Sequence, residues 1–546
     1  MQLSTLPFYN HLPMSITQRS YWSWIALLAI LSTSAVLYGP WISNPPVFDD
    51  PPLLTSPTLF EDYAVKFFSL QPRHFPYFTL GFEQVITGGN LRISRIVALV
   101  LHGLNGYLLF FLCRRLLAKL VEPNKAFLLA LGVGLIFTAH PVAVYAVGYW
   151  VQRTILFAAF FLLLSAIQFD IALERSSWQR ALFAGVLYGL AALSKEHAMP
   201  GLLSVLALAW IPPRNSIKEN LPVLSAFCAI ALPISIWVIF VKLGIIGTTY
   251  EPDVQEIIGT SGFPDTGSSL GNWALSASLQ CDFFFRYLAF WLWPDPIGIS
   301  IDIRPDFAYL SHSFWLVLGP LAWIASALFI INRLMTQQAR SSFGLIAFGL
   351  LWAMTLFTVE LSSVRFQEPV VLYRSYLWAP GFLLAVIGLL STLRTTPVYL
   401  GLILALTCLF PLSNERLTTF SKELNLWEEA AEKLPSLTTP GAIRIIYNRG
   451  IFRLRTGHIQ QAGDDFEWIV QTDPNVVQGF IGRAAFRVAT KDWTGAADDL
   501  RIAIKLRPQS AVLHYRLGLV LKKIGKEKEA DDAFSAAQGM GMQIPK

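Results

Sequence analysis

The sequence predicts an all-α protein in two parts: a polytopic membrane domain over residues 1–413 and a solenoid of short paired helices over 443–546. Three observations carry this. First, 54% of the 546 residues are apolar and only 14% are charged, with a mean hydropathy of +0.49; soluble domains carry about 25% charged residues. Second, the charge is unevenly spread. Residues 1–413 hold 23 basic and 20 acidic side chains, whereas the much shorter 414–546 holds 19 and 16. Third, apolar runs of the length that crosses a bilayer, about 20 residues, recur along the first part only.

In chain order, the apolar runs place about eleven transmembrane helices near 21–42, 94–113, 126–147, 152–173, 181–194, 198–212, 221–243, 313–332, 342–361, 374–393 and 397–413. The first run has no small-residue cleavage site and reads as a span rather than a leader. The run 280–293 stops after 14 residues at Pro294 and reads as interfacial. Short-loop basic residues stay cytoplasmic. Arg114, Arg115, Lys119 and Lys125, then Arg175 and Arg180, Arg214 and Lys218, Arg333 and Arg340, and Arg394 all fall on one side if the N-terminus is cytoplasmic. Loops 43–93 and 244–312 and the whole C-terminus then lie outside. The acidic loop with Glu251, Asp253, Glu256 and Asp265 reads as a solvated, mobile lid, of the kind that can close over a substrate groove. Four cysteines, three of them in apolar runs and none in a CxxC pair, imply neither a zinc site nor a disulfide framework. A net charge of +6 leaves no footprint for nucleic acid.

After a linker helix over 414–442 the chain becomes periodic. Pro474 and Pro508 lie 34 residues apart, and on the same spacing Gly450, Ala484 and Gly518 coincide, as do Ala462, Ala496 and Ala530, and Phe466, Leu500 and Phe534. This is the tetratricopeptide period. Small residues let paired helices approach, and the aromatic or leucine fills the gap. Three such units make a binding surface more readily than a catalytic one.

The loop Ser43–Arg92 is long for a membrane connection, and long loops tend to be functional. It opens on Asn44-Pro-Pro-Val-Phe-Asp-Asp-Pro-Pro. The prolines are expected to forbid helix and to display Asp49 and Asp50 on an extended segment just past the first span. Leu59, Phe60, Tyr63, Phe67 and Phe68 follow at helical spacing, as in an amphipathic helix on the membrane surface. Two adjacent carboxylates in one environment repel, which raises one pKa and leaves a better proton acceptor.

Seven strings occur in the order of a known family: "FDD" at 48–50, "RHFPYFTLGFEQ" at 73–84, "ALVLHGLNGYLLFFL" at 98–112, "FTAHPVAVYAVGYWVQR" at 137–153, "LSKEHAMP" at 193–200, "RYLAFWLWPDPIGIS" at 286–300 and "YRSYLWAPGF" at 373–382. With the terminal repeats, they resemble the transmembrane tetratricopeptide-repeat O-mannosyltransferases and, more loosely, the protein O-mannosyltransferases and other GT-C glycosyltransferases. The resemblance implies a GT-C-like membrane domain whose first outer loop supplies a catalytic aspartate, at Asp49 or Asp50. It implies donor-phosphate residues at Arg73, Arg153, Lys195 and Arg374. His74, His102, His140 and Glu196 also fall in matching strings. One departure stands out: after His140-Pro141 the family carries a further histidine and an acid, where this chain has Val142, Ala143, Val144 and Tyr145.

The activity so implied is transfer of a sugar from a polyprenyl-phosphate-linked donor to a hydroxyl of a protein or glycan acceptor held by the repeats. No cofactor is firmly implied; carboxylates beside phosphates invite a divalent cation such as Mg or Mn, and no metal-ligand cluster is legible. Transfer to a glycolipid or polysaccharide, en bloc oligosaccharide transfer, and a repeat-bearing scaffold for envelope or pilus assembly are the alternatives. The chain has no Asn-x-Ser/Thr sequon, which favours a bacterial inner membrane with the repeats in the periplasm.

Overall fold

A computed structural model describes residues 16–56, 58–211, 217–244, 246, 268–306, 310, 314–336 and 341–543. The regular structure among these residues is helical, apart from one isolated bridge between Ile303 and Val370. Seven described helices are long and apolar enough to cross a membrane: Tyr21–Trp41, Leu91–Leu117, Trp150–Glu174, Lys218–Lys242, Leu316–Met335, Ser342–Leu361 and Thr395–Thr419. The chain is a multi-pass membrane protein.

The expected run 126–147 is two helices, Pro123–Thr138 and Pro141–Val147, bent by 57°. Proline disfavours helical geometry at the residue before it, and His140 is extended at φ −83°, ψ 131°. Counted as one span, this pair makes eight. The other three expected spans are shorter helices, Trp178–Ser194, Gly201–Ala207 and Ala379–Leu390, of 17, 7 and 12 residues. The interfacial run 280–293 is the end of a 24-residue helix, Ser269–Leu292, which carries an Asp282–Arg286 ion pair at 2.8 Å. Arg214, Arg340 and the acidic residues Glu251, Asp253, Glu256 and Asp265 lie outside the described residues.

The chain divides into two compact units. The first comprises 1–244, 323–359 and 373–417. Its helices approach through glycines: a Cβ on Gly103 would lie 2.8 Å from Leu31, and one on Gly134 would lie 2.9 Å from Ile30. Small residues of this kind let membrane helices close on one another. The Ser34 hydroxyl donates to the Leu99 carbonyl at 2.7 Å across the same seam. One end of this unit gathers the basic residues that the charge rule puts together. There Arg114 donates to Ser23, Arg115 pairs with Asp170 at 2.5 Å, Lys119 pairs with Glu174, and Lys125 donates to the Ser391 carbonyl.

The second unit comprises 245–322, 360–372 and 418–546. The expected linker helix is two pieces, since Thr395–Thr419 runs on past 413 and a separate helix follows at Glu423–Glu432. Six helices then alternate with tight turns: Ala442–Arg455, Ile459–Thr472, Val477–Ala489, Trp493–Leu506, Ala511–Ile524 and Glu527–Gly539. The 34-residue spacing is visible in their packing. A Cβ on Gly450 would lie 2.7 Å from the Phe466 ring, and one on Gly518 would lie 2.6 Å from Phe534. Where the middle unit has Ala484 instead of glycine, the facing residue is the smaller Leu500. The turn after each first helix uses the left-handed conformation at Gly457, Lys491 and Gly525, again 34 residues apart.

Two charge clusters share the period. Asp465, buried, pairs with Arg449 at 2.6 Å and Arg453 at 3.0 Å. Asp499, buried, pairs with Arg483 at 2.8 Å and Arg487 at 2.7 Å. The third unit has Leu517, Leu521 and Ala533 at these positions, all buried.

Candidate functional site

The loop after the first apolar helix is more folded than its prolines suggest. Asp50–Leu54 is a single helical turn with Pro51 and Pro52 at its start, where their missing N–H groups would be unpaired in any case. Downstream, the expected amphipathic helix over 59–68 is reduced to one wide turn, Leu59–Tyr63, followed by the helix His74–Thr87. Phe67 and Phe68 remain exposed.

The two aspartates occupy opposite environments. Asp50 is fully buried. Its Oδ2 accepts from the Val47 N–H at 3.1 Å and the Trp150 N–H at 3.2 Å, and its Oδ1 accepts from the Val151 N–H at 2.9 Å. This carboxylate ties the first loop to the start of the helix Arg153–Glu174. Burial pushes its pKa up to about 6, against the opposing pull of the Arg95 charge and the three N–H donors. Asp49 is exposed. Its Oδ2 accepts the Tyr149 hydroxyl at 2.6 Å, and its backbone N–H donates to the same oxygen at 3.4 Å. Burial and the neighbouring Asp49 carboxylate push the Tyr149 hydroxyl up, so Tyr149 stays protonated and donates.

Around this pair the helix starts supply charged supports. Arg95, buried, donates to the carbonyls of Gly148 and Pro45, the latter at 2.9 Å, and lies over the Trp150 ring at 4.7 Å. Arg153, also buried, pairs with Glu83 at 2.6 Å and donates to the Ser94 carbonyl at 2.9 Å, while Ser94 donates to Glu83 at 2.8 Å. Arg374 lies over the Tyr373 ring, which packs at 5.9 Å on Tyr149. These contacts connect Arg374 to Asp49 through two aromatic rings.

A second group forms where the helix Trp178–Ser194 ends. Lys195 is extended and buried, and Glu196 forms an ion pair with Arg73. Burial opposes the Glu196 charge, but Lys195 and Arg73 outweigh it and hold its carboxyl well below the ordinary range. Arg73 has a left-handed backbone, φ 69°, uncommon for a side chain of its size. Its N–H donates to the Leu193 carbonyl at 2.6 Å. His74 is buried beside it, 2.6 Å from the Lys66 carbonyl.

The remaining histidines sit at helix joints. His102 contacts the Tyr376 hydroxyl at 2.8 Å and the Thr138 carbonyl at 3.0 Å, holding Leu91–Leu117 to its neighbours. The His140 Nδ1 accepts from the Val142 N–H at 3.2 Å and caps the short helix after the bend. Among the described residues no group of three His, Cys, Asp or Glu side chains is placed to hold a metal ion.

Sequence reading missed Tyr149, Glu83 and Arg95. The first two lie inside the strings "FTAHPVAVYAVGYWVQR" and "RHFPYFTLGFEQ". Arg95 had a signal of its own, as an ionisable side chain at the start of an apolar span.

No protein-family model matches the sequence, and none of the curated proteins is similar to it. The solved structures to which the chain is similar include two from Archaeoglobus fulgidus. One is the archaeal oligosaccharyltransferase AglB in complex with an inhibitory peptide and a dolichol-phosphate: 14% identity, TM-score 0.41, covering 80% of this chain and 60% of that one. The other is an oligosaccharyltransferase tethered to an acceptor peptide containing the NVT sequon: 14% identity, TM-score 0.37, covering 76% and 57%. The chain thus spans about three fifths of the length of either.

Proposed function

We propose that this chain is a GT-C-type glycosyltransferase, moving a sugar from a polyprenyl-phosphate-linked donor to a hydroxyl of a protein acceptor outside the cytoplasm. The observation that carries the reading is the asymmetry of the aspartates: one carboxylate is exposed and aimed by a tyrosine, and its neighbour is sealed into the scaffold. Asp49 is the base. It takes the acceptor hydroxyl's proton as that oxygen bonds to the anomeric carbon. The carbon–oxygen bond to the lipid phosphate breaks, and the phosphate keeps the electron pair. That leaving group is already a stabilised anion, so no general acid is needed.

Asp50 is a positioning residue, as are Arg95, which holds the carbonyls of Pro45 and Gly148, and Arg153, which holds Glu83 and the Ser94 carbonyl. Arg374 and Lys195 are the residues we assign to the donor phosphate, where electrostatic support supplies much of the rate. Arg73, paired with Glu196, shapes that end of the site. The basic cluster of Arg114, Arg115, Lys119 and Lys125 at the opposite end supports a cytoplasmic N-terminus and an outer-face site. The terminal helices then serve as extracytoplasmic tetratricopeptide repeats that hold the acceptor, in a bacterial inner membrane.

The test is transfer by the purified protein from a polyprenyl-phosphate-linked sugar. Asp49→Asn should fold, insert and lose transfer, whereas a folded Asp49→Asn variant with full activity would sink the assignment. Mass spectrometry of glycoproteins and glycolipids with and without the gene separates a protein acceptor from a lipid one, and an unchanged glycome would revive the scaffold reading.

A further inference from the structure

Phe48, immediately before the two aspartates, has a left-handed backbone at φ 53°. Asp49 follows at φ −81°, ψ −6°. The Asp50 N–H then closes a turn on the Val47 carbonyl at 3.0 Å, and the Val47 N–H returns a hydrogen bond to the Asp50 Oδ2 at 3.1 Å. A positive φ at the first central position and a negative one at the second are the signs of a type II′ turn, whose first central position ordinarily holds glycine. A bulky aromatic residue there is strained, and such strain persists where the surroundings hold it in place.

This turn is what sets the neighbouring carboxylates apart. Asp49, at its second central position, stays exposed, and Asp50, at its closing position, is sealed against Val47, Trp150 and Val151. Glycine would make the same turn without strain, so the backbone alone does not call for phenylalanine. The half-buried Phe48 ring has a partner: it packs edge-on against the Tyr149 ring at 5.5 Å. Tyr373 also packs edge-on against Tyr149, at 5.9 Å. The hydroxyl that reaches Asp49 at 2.6 Å is thus carried on a ring held by two others.

We propose that Phe48 is a positioning residue for transfer: the strained turn brings its ring onto Tyr149, and the ring fixes the hydroxyl that aims Asp49. This rests on the transferase reading with Asp49 as base. Three variants of the full-length protein separate ring from backbone. Phe48→Ala removes the ring and keeps a strained side chain, Phe48→Gly removes both, and Phe48→Tyr keeps the ring. Transfer should fall about tenfold in the alanine and glycine variants alike, through kcat with acceptor KM little changed, and should recover in Phe48→Tyr. The glycine variant should nevertheless melt above the alanine variant, because it alone relieves the turn. In a Tyr149→Phe background, where the aiming hydroxyl is gone, Phe48→Ala should cost no more than about a further twofold. A glycine variant as active as the native protein, a tyrosine variant as slow as alanine, equal melting of the alanine and glycine variants, or full additivity with Tyr149→Phe would each overturn the proposal. The melting comparison needs no donor. An inactive Asp49→Asn variant beside a fully active Phe48→Ala variant sinks the role of Phe48 alone, whereas full activity in Asp49→Asn sinks the base assignment.

Discussion

The repeat array and the Asp49–Asp50 loop both bury arginine–carboxylate contacts, yet they use them differently. In the array the same Arg–Asp–Arg set appears at Asp465 and at Asp499, and the third unit fills the equivalent space with Leu517, Leu521 and Ala533. An interaction that apolar packing can replace is there to fill and hold. In the loop, nothing repeats. Asp50, Arg95, Glu83 and Arg153 each have their own partners, and together they leave one carboxylate, that of Asp49, facing out. Burying ions to build a wall tolerates substitution, whereas burying them to aim a neighbour does not.

The sharpest way to break this contrast is at its exposed member. Asp49→Asn should cut transfer by roughly 10²- to 10⁴-fold, the range of a lost general base, with an unchanged melting temperature. In the array, Asp465→Ala strands Arg449 at a largely buried site, leaves Arg453 only its 3.4 Å contact with Glu428, and should cost about 3–5 kcal/mol, read as loss of the cooperative unfolding of 443–546 in denaturant. Replacing Arg449, Arg453 and Asp465 together by Leu, Leu and Ala should recover most of that loss. If the triple variant is no better than the single one, the equivalence with the third unit is wrong.

Asp50 sharpens the contrast through pH. Its folded pKa of about 6 lies above the ordinary 3.8. Between those values the folded protein keeps a proton that the unfolded chain has released, so stability falls as pH rises from about 4 to 6 and is level beyond. The drop is at most about 3 kcal/mol. Asp50→Asn should abolish that slope in thermal unfolding; an undiminished slope would point to another group. Tyr149→Phe, which removes the hydroxyl that aims Asp49 and accepts from its backbone N–H, should lower transfer about tenfold, or about 1.4 kcal/mol, with little effect on acceptor KM. The smallest effect lies back in the array. Lys491 occupies a left-handed position that glycine fills in the other two units, so Lys491→Gly should raise stability by roughly 0.5–1 kcal/mol.

Much of the array was legible because a period of 34 relates each residue to its equivalents. Gly450 with Phe466 and Gly518 with Phe534 follow from spacing alone, and the compensating Ala484–Leu500 pair does too. The arginines and aspartates have the same period, but a search for small and apolar residues passes over them. The loop was legible as a location and not as a geometry. Asp49 and Asp50 are indistinguishable in sequence, and what separates them are Tyr149, Trp150 and Val151, about 100 positions further on. The helical turn at Asp50–Leu54 was misjudged for a local reason: proline is excluded from a helix interior and tolerated in its first turn.

The carboxylate of Asp50 also sets an order of events during synthesis. Its N–H donors at Trp150 and Val151 leave the ribosome long after the loop that holds Asp50, once the helices Leu91–Leu117 and Pro123–Thr138 have been made. Until then Asp50 lacks two of its three N–H donors, and Asp49 has no tyrosine to hold it. A nascent chain shorter than about 151 residues therefore carries both aspartates but no assembled site. Asp49 is aimed only once the chain has been made through the bent helix pair that precedes Tyr149.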